Sequence, residues 1–150
     1  MHMIMAANSL TRLPCACANL RRASRAVTQL YDEALRGSGL RITQFTLLQL
    51  LAQLQKPVTQ GALGTQLALD STTLSRTLKP LVRARWIQIG TGSDGRERWI
   101  ELTPLGRRVL RRATPAWAGV QHRLREGLVE REWGALQGML TRVAGAAGRA

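Results

Sequence analysis

Two long helical stripes of apolar residues lie towards the two ends of the chain. The first stripe advances by alternating steps of four and three residues, which predicts a helix from about residue 13 to about residue 36. It consists of Leu13, Cys17, Leu20, Ser24, Val27, Tyr31 and Ala34. Pro14 suits the first turn of this helix, and Gly37 suits its end.

The second stripe predicts a long helix in the last third of the chain. It consists of Leu105, Val109, Ala113, Trp117, Val120, Leu124 and Leu128. Thr103 and Pro104 fit the N-cap and the first helical position, whereas Pro115 predicts a bend or a break inside the helix. A final helix is predicted over about residues 131 to 144, and residues 1–10 are expected to form a flexible tail.

Between the stripes, the pattern predicts three shorter helices followed by a β-hairpin. The helices begin near Thr43, Thr59 and Ser71, and the third of them runs towards Arg85. Residues 86–89 and 98–102 alternate as strands around a glycine-rich turn at 90–95. The predicted fold is therefore mainly α with a small β-hairpin wing, in the order of a winged helix-turn-helix.

The charge of the chain points to a polyanionic partner. Its 150 residues include 22 Lys and Arg and 9 Asp and Glu, which gives a net charge of +13. Such an excess fits nucleic acid, because each neutralised phosphate releases condensed counterions, but on charge alone it fits an anionic membrane surface equally well. No motif pairs a nucleophile with a base or cradles a phosphate in a glycine loop, so we do not expect an enzyme.

The sequence also sets an expectation about location. No stretch approaches the roughly 20 apolar residues that cross a bilayer, and Met1–Leu10 lacks the basic start and long apolar core of a secretion signal. A cytoplasmic protein with no membrane partner is therefore expected.

The third short helix carries the candidate DNA-reading residues. Leu74, Leu78 and Leu81 hold one face to the core, while small polar residues near the start and basic residues further along lie on another face. A helix in the major groove needs small polar groups near its N-terminus and Arg or Lys for guanine or phosphate. The candidates on this helix are Ser71, Thr72, Thr73, Ser75, Arg76, Lys79 and Arg83. The alternative is an ordinary solvated helix face.

The hairpin supplies a second set of candidates. Arg96 at the tip fits a narrow minor groove, Arg98 lies beside it, and Asp94 is placed to hold an arginine in position. The alternative is that Asp94 and Gly95 only close the turn, and the two roles are compatible.

Several segments together resemble the MarR family of transcriptional regulators. Residues 44–48 (QFTLL) resemble the second helix of that family, and Leu74–Leu81 resembles its recognition helix. Asp94-Gly95-Arg96 resembles the family's wing, and Ile100–Gly106 resembles the Leu-Thr-x-x-Gly start of the helix that follows the wing. The resemblance covers roughly residues 13 to 144. Two departures are Gly95, where the family often has a second basic residue, and Arg85, where many members have a helix-ending Gly.

This resemblance implies a homodimer that binds double-stranded DNA. It implies dimerisation helices at about 11–38 and 115–150, a winged module at about 40–112, and one subunit over 11–150. It further implies that the dimer binds a pseudo-palindromic operator and usually represses a nearby promoter. A ligand or thiol modification would release the protein from the DNA. A candidate effector pocket by resemblance includes Tyr31, Phe45 and Trp117, which fit an ordinary core as well.

Cys15 and Cys17 are the remaining unusual chemistry. A helix N-terminus favours the thiolate form, and three interpretations stay open. Cys17 is packed on the apolar stripe, or the thiols sense oxidants, or they bind a soft metal. No other cofactor or metal site is predicted, and the effector is unidentified.

Two rival functions use the same features. A non-specific architectural nucleic-acid-binding protein would exploit the charge without preferring a sequence. A winged module that serves only protein contacts would leave the basic face of the third short helix unused.

Overall fold

The computed structural model describes residues 10–148, which form six α-helices and a three-stranded sheet. The predicted tail lies outside the described residues except for Leu10. The helices are α1 (Ala16–Leu35), α2 (Ile42–Leu54), α3 (Gln60–Leu67), α4 (Ser71–Arg83), α5 (Pro104–Glu126) and α6 (Glu130–Ala147). The strands are β1 (Val58–Thr59), β2 (Ile87–Thr91) and β3 (Arg98–Leu102). This arrangement confirms the predicted mainly α, winged helix-turn-helix fold.

The starts of two helices differ from the prediction. Pro14 is not in the first turn of α1. Cys15 keeps an extended backbone and is the N-cap of this helix, whose first residue is Ala16. The side chain of Asn19 folds back onto this segment, accepting a hydrogen bond from the N–H of Leu13 and donating to its carbonyl oxygen. Thr43, which the sequence suggests as the N-cap of the second helix, is instead inside α2, since the helix begins at Ile42, whose N–H donates to Asp32 Oδ1 over 2.7 Å.

The predicted hairpin is present and is joined by a strand that the sequence analysis missed. β3 lies between β1 and β2, and both pairings are antiparallel. Ile89 and Val58 both face Ile100 across the two ladders. β1 has only two residues, too few to show an alternating pattern, and it leads directly into the Thr59 N-cap of α3.

The core of the winged module is a single apolar cluster under the sheet. It is drawn from the end of α1, from α2, α3 and α4, from both hairpin strands and from the first half of α5. Phe45 on α2 is fully buried and stacks on Trp117 of α5, with ring centroids 5.6 Å apart. α5 is continuous through Pro115, so of the predicted bend or break the break does not occur.

The start of α5 is joined to the end of α4 by a compact hydrogen-bonded unit, here called the Thr103 junction (Arg85, Trp86, Thr103 and Gly106). The hydroxyl of Thr103 donates towards the carbonyl oxygens of Arg85 (2.7 Å) and Trp86 (3.0 Å) and accepts from the N–H of Gly106. The N–H of Thr103 also donates to the carbonyl oxygen of Trp86. These bonds fix the direction of α5 relative to α4 and β2.

Two backbone positions make the Thr103 junction possible. Arg85 has a φ of +60°, the left-handed conformation that favours glycine, so this turn is built here with Arg at a position that suits Gly. At Gly106 a Cβ would overlap the carbonyl oxygen of Trp86 and lie 2.8 Å from Cδ1 of Leu102. The helix can approach the turn this closely only because residue 106 has no side chain.

The two ends of the described chain are far less buried than the module between them. α6 has no buried residue, and in α1 only Tyr31 and Leu35 are buried, both in its last half. None of the described helices combines the length and apolar character needed to cross a membrane.

Replacing Gly106 by Ala is expected to lower the free energy of unfolding by about 1–3 kcal/mol, because the new methyl group collides with backbone at the Thr103 junction. The control is Gly119→Ala on the same helix, where a Cβ meets nothing within 4 Å. There the change should stabilise by about 0.5–1 kcal/mol, since Ala is the better helix former. Urea unfolding at one protomer concentration measures both, and a neutral Gly106→Ala would contradict the described packing.

Candidate DNA-binding surface

α4 is held in place by one cap and one apolar face. The N-cap is Asp70, whose Oδ1 accepts the N–H of Thr73 and whose Oδ2 accepts the hydroxyl of Thr73, both over 2.8 Å. Two hydrogen bonds lower the pKa of Asp70: the larger effect comes from the Thr73 N–H and the next from the Thr73 hydroxyl. Leu74, Leu78 and Leu81 are buried against the core. The rest of the helix surface is therefore fixed and turned outward.

The candidate residues on α4 fall into two groups. Ser75 and Thr73 are already engaged, because Ser75 Oγ accepts a hydrogen bond from Gln60 Nε2 over 3.0 Å and Thr73 completes the cap. The other candidates are exposed on the outer surface of the helix, with no side-chain partner in the described chain; they are Ser71, Thr72, Arg76, Lys79 and Arg83. The free donors of α4 thus begin at its first turn and continue to its last.

Asp94 supports the wing through the backbone. Its Oδ1 accepts the N–H of Arg96 over 3.1 Å, and Gly95 occupies the left-handed region with a φ of +70°. The sequence analysis placed Asp94 beside the side chain of an arginine, and the structure instead shows it closing the turn. The side chains of Arg96 and Arg98 are left exposed.

Two grooves bring the wing and α4 together. One has a volume of about 650 Å³ and joins Arg96 and Arg98 to Ser71 at the start of α4. The other, of about 350 Å³, joins Arg98 to Lys79 and Arg83. Arg98 borders both grooves, so Arg96 and Arg98 of the hairpin and Lys79 and Arg83 of α4 border one continuous surface.

Gln60 is a residue of this surface that sequence reasoning missed. It is the first residue of α3, it lines both grooves, and it holds Ser75. Its closeness to α4 arises from the packing of α3 on α4, which leaves no local mark in the sequence. The capping pattern of Thr59 could have shown only that Gln60 begins a helix.

Both cysteines lie exposed at the start of α1. Cys17 is exposed and is therefore not packed in the core of the described chain. Within residues 10–148, no group of three His, Cys, Asp or Glu side chains is arranged to hold a metal ion.

The candidate effector residues fill space in this structure. Phe45 and Trp117 stack on each other, and Tyr31 is buried at 6% exposure. Burial raises the pKa of Tyr31, and a hydrogen bond with the side chain of Gln121 opposes that shift. An effector at this position would have to displace packed aromatic side chains.

Comparison with known proteins shows that the chain is similar to transcriptional regulators. No family model matches the chain. The uncharacterized HTH-type transcriptional regulator YwoH of Bacillus subtilis (strain 168) is 30% identical over 84 residues, which are 56% of this chain and 61% of that relative. The match thus spans less than two thirds of the curated relative's length.

Solved structures match over more of the chain. The M. tuberculosis transcriptional regulator MosR in complex with DNA is 35% identical, with a TM-score of 0.83 over 90% of this chain and 97% of that one. A MarR-family regulator from Rhodococcus sp. RHA1 shares the fold, with a TM-score of 0.75 at 20% identity over 88% of this chain and 96% of that one. Because the likeness to MosR reaches 35% identity and extends over nearly the whole length of that protein, the chain belongs to the MarR family of DNA-binding transcriptional regulators.

Proposed function

We propose that two copies of this chain form a dimer that binds a pseudo-palindromic operator and represses a nearby promoter. In this proposal each copy places α4 in a major groove and its wing in the adjacent minor groove. The observation that carries the proposal is the continuous basic surface that joins α4 to the hairpin through Arg98. Two reading helices related by a two-fold axis require half-sites about one helical turn apart.

The unburied apolar face of α6 supports the dimer. Leu136, Met139, Leu140 and Val143 lie at helical spacing on one face and are 37%, 57%, 43% and 47% exposed. Leu20 and Val27 on α1 are also exposed apolar residues. A contiguous apolar face of this kind marks an interaction surface, and a second copy supplies a matching one.

The division of labour on the DNA surface follows from the geometry of α4. We assign base contacts to the free donors near its start, Ser71, Thr72 and Arg76. Lys79, Arg83 and Arg98, further from the start of the helix, are assigned to phosphates. Thr73 and Ser75 are assigned to holding α4 in place, because the Thr73 hydroxyl donates to Asp70 and Ser75 Oγ accepts from Gln60.

We further propose that modification of the exposed thiols releases the DNA. Cys15 and Cys17 lie at the start of α1, beside the Asn19 hydrogen bonds that organise the segment before the helix. A bulkier or oxidised group there would disturb the end of a helix assigned to the dimer. A small-molecule effector is the alternative trigger, with Tyr31, Phe45 and Trp117 as its candidate contacts.

A non-specific architectural protein is the rival function. It uses the same basic surface, but it predicts equal affinity for any duplex, whereas the regulator prefers its site by about 10³-fold or more. Comparison of a selected duplex with a scrambled one at moderate salt separates the two.

Arg76→Ala is expected to weaken binding to the selected duplex by about 1–3 kcal/mol, because a base-reading arginine is lost. Arg96→Ala, made separately, should weaken it through the loss of the wing contact. Lys56→Ala is the control, since it removes one exposed charge between α2 and β1 and should change binding by only a few tenths of a kcal/mol. Fluorescence anisotropy measures all three, and losses no larger than the control's would remove both arginines from the site.

Leu140→Glu is expected to convert the dimer into single subunits and to abolish tight operator binding, because a carboxylate would be buried in the α6 interface. Thr141→Glu, which places the same charge on the opposite side of α6, should leave the dimer intact. Sedimentation equilibrium gives the mass of each variant. Circular dichroism should still show a mainly helical protein in both, and an unchanged dimer in Leu140→Glu would exclude this face as the interface.

Cys17→Ser is expected to abolish release of DNA by hydrogen peroxide while leaving binding under reducing conditions intact, since the exposed hydroxyl mimics the shape of the thiol. The wild type should release DNA and rebind it after dithiothreitol. Release by the serine variant at the same peroxide concentration would eliminate Cys17 as the responsive group.

A further inference from the structure

The first half of α5 carries four arginines that the chain leaves uncompensated. Arg107, Arg108, Arg111 and Arg112 are all exposed, because Gly106, Leu110 and Ala113 occupy the buried positions of this stretch. Like charges three and four residues apart repel each other along a helix. The first turn of α5 contains no acidic residue, and positive charge is unfavourable near a helix N-terminus.

No carboxylate of residues 10–148 forms an ion pair with these four arginines. The ion pairs of the described chain involve Arg41 with Asp32 and Arg125 with Glu130, together with the contact of His122 with Glu126. The repulsion within α5 is therefore relieved only by ions or by a partner from outside the described chain.

Three of the four arginines border one groove. Arg107, Arg108 and Arg111 surround a space of about 360 Å³ whose other walls are Ala52, Pro104 and Leu110. Arg112 borders a different cleft, between α1 and α5. The groove combines an apolar floor with a cationic rim, and its volume lies within the roughly 300–1,000 Å³ of small-molecule sites.

This groove is separate from the surface assigned to the operator. It shares no lining residue with the two grooves between α4 and the wing. It lies where β3 leads into α5, whereas the wing tip is at the other end of β3, five residues and roughly 17 Å away.

We propose that the groove between α2 and α5 binds a small anion that carries several phosphate groups. Guanidinium groups form paired hydrogen bonds with phosphate oxygens, and three of them within one helical turn suit clustered phosphates better than a single carboxylate. The apolar floor accommodates an organic part of the ligand. Pro104, at the edge of the groove, is next to Thr103, so the occupant contacts the element that joins α5 to α4.

The test uses inorganic tripolyphosphate and the full chain. Calorimetric titration should show saturable binding of tripolyphosphate. The midpoint temperature of thermal unfolding should rise more in tripolyphosphate than in sodium chloride of equal ionic strength. Arg107→Gln/Arg111→Gln should weaken binding about tenfold or more, as expected for the loss of two charge-assisted contacts. Its free form should unfold at a slightly higher temperature, because the repulsion is reduced, and this shows that the variant is folded.

Two controls distinguish the groove from general basic charge. Arg131→Gln/Arg142→Gln removes two exposed charges from α6 and should leave tripolyphosphate binding unchanged. Arg107→Lys/Arg111→Lys keeps the charge and should retain part of the affinity. Absence of saturable binding, or equal losses in the two glutamine variants, would overturn the proposal.

A random-sequence duplex forms the last arm of the test. If Arg107→Gln/Arg111→Gln weakened duplex binding as strongly as tripolyphosphate binding, the groove would be a DNA surface and the small-anion assignment would be wrong. Operator binding by this variant should match that of the wild type. If the wild-type protein did not bind any operator, that result would contradict the proposed function but would leave this inference unaffected.

Discussion

The contact between the turn after α4 and the first turn of α5 is the constraint on which the arrangement depends. Thr103 bonds to the carbonyl oxygens of Arg85 and Trp86, and Gly106 allows α5 to approach them without a side chain between. Because α5 continues for 23 residues from this point, its direction is fixed by the end of α4. A change in the angle of α5 must therefore move α4 or break these hydrogen bonds. The fold thus connects the far end of α5 mechanically to α4 and the candidate DNA-binding surface.

The chain is divided between a module that completes its own core and helices that do not. Leu35, Phe45, Leu81 and Ile100 are fully buried within the winged module, while α6 buries none of its residues. An isolated helix of this length is marginal in water, and most helical stability in proteins comes from packing of an apolar face. In the proposed dimer, the exposed apolar face of α6 is stabilised by packing against the second copy, and that same contact sets the distance between two copies of α4.

Much of this fold could be predicted from the sequence, because its signals are local and periodic. The apolar stripes, the Asp70 and Thr59 caps and the Asp94-Gly95 turn each mark an element within a few residues. Contacts between distant segments were not predictable in this way. Gln60 meets Ser75 only through the packing of two helices, and the extended Cys15 cap depends on the side chain of Asn19. The hydroxyl of Thr73 donates to Asp70, and Ser75 Oγ accepts a hydrogen bond from Gln60; both contacts became visible only in three dimensions.

The central claim is that two copies of the chain present their α4 helices to DNA in a fixed, symmetric relation. Selection of bound sequences from random duplex DNA, followed by sedimentation of the protein with the selected duplex, tests it most directly. A two-fold-symmetric consensus with half-sites about 10 base pairs apart, occupied by two copies of the chain, is the predicted result. An asymmetric or absent consensus, or a single copy on each duplex, would contradict it.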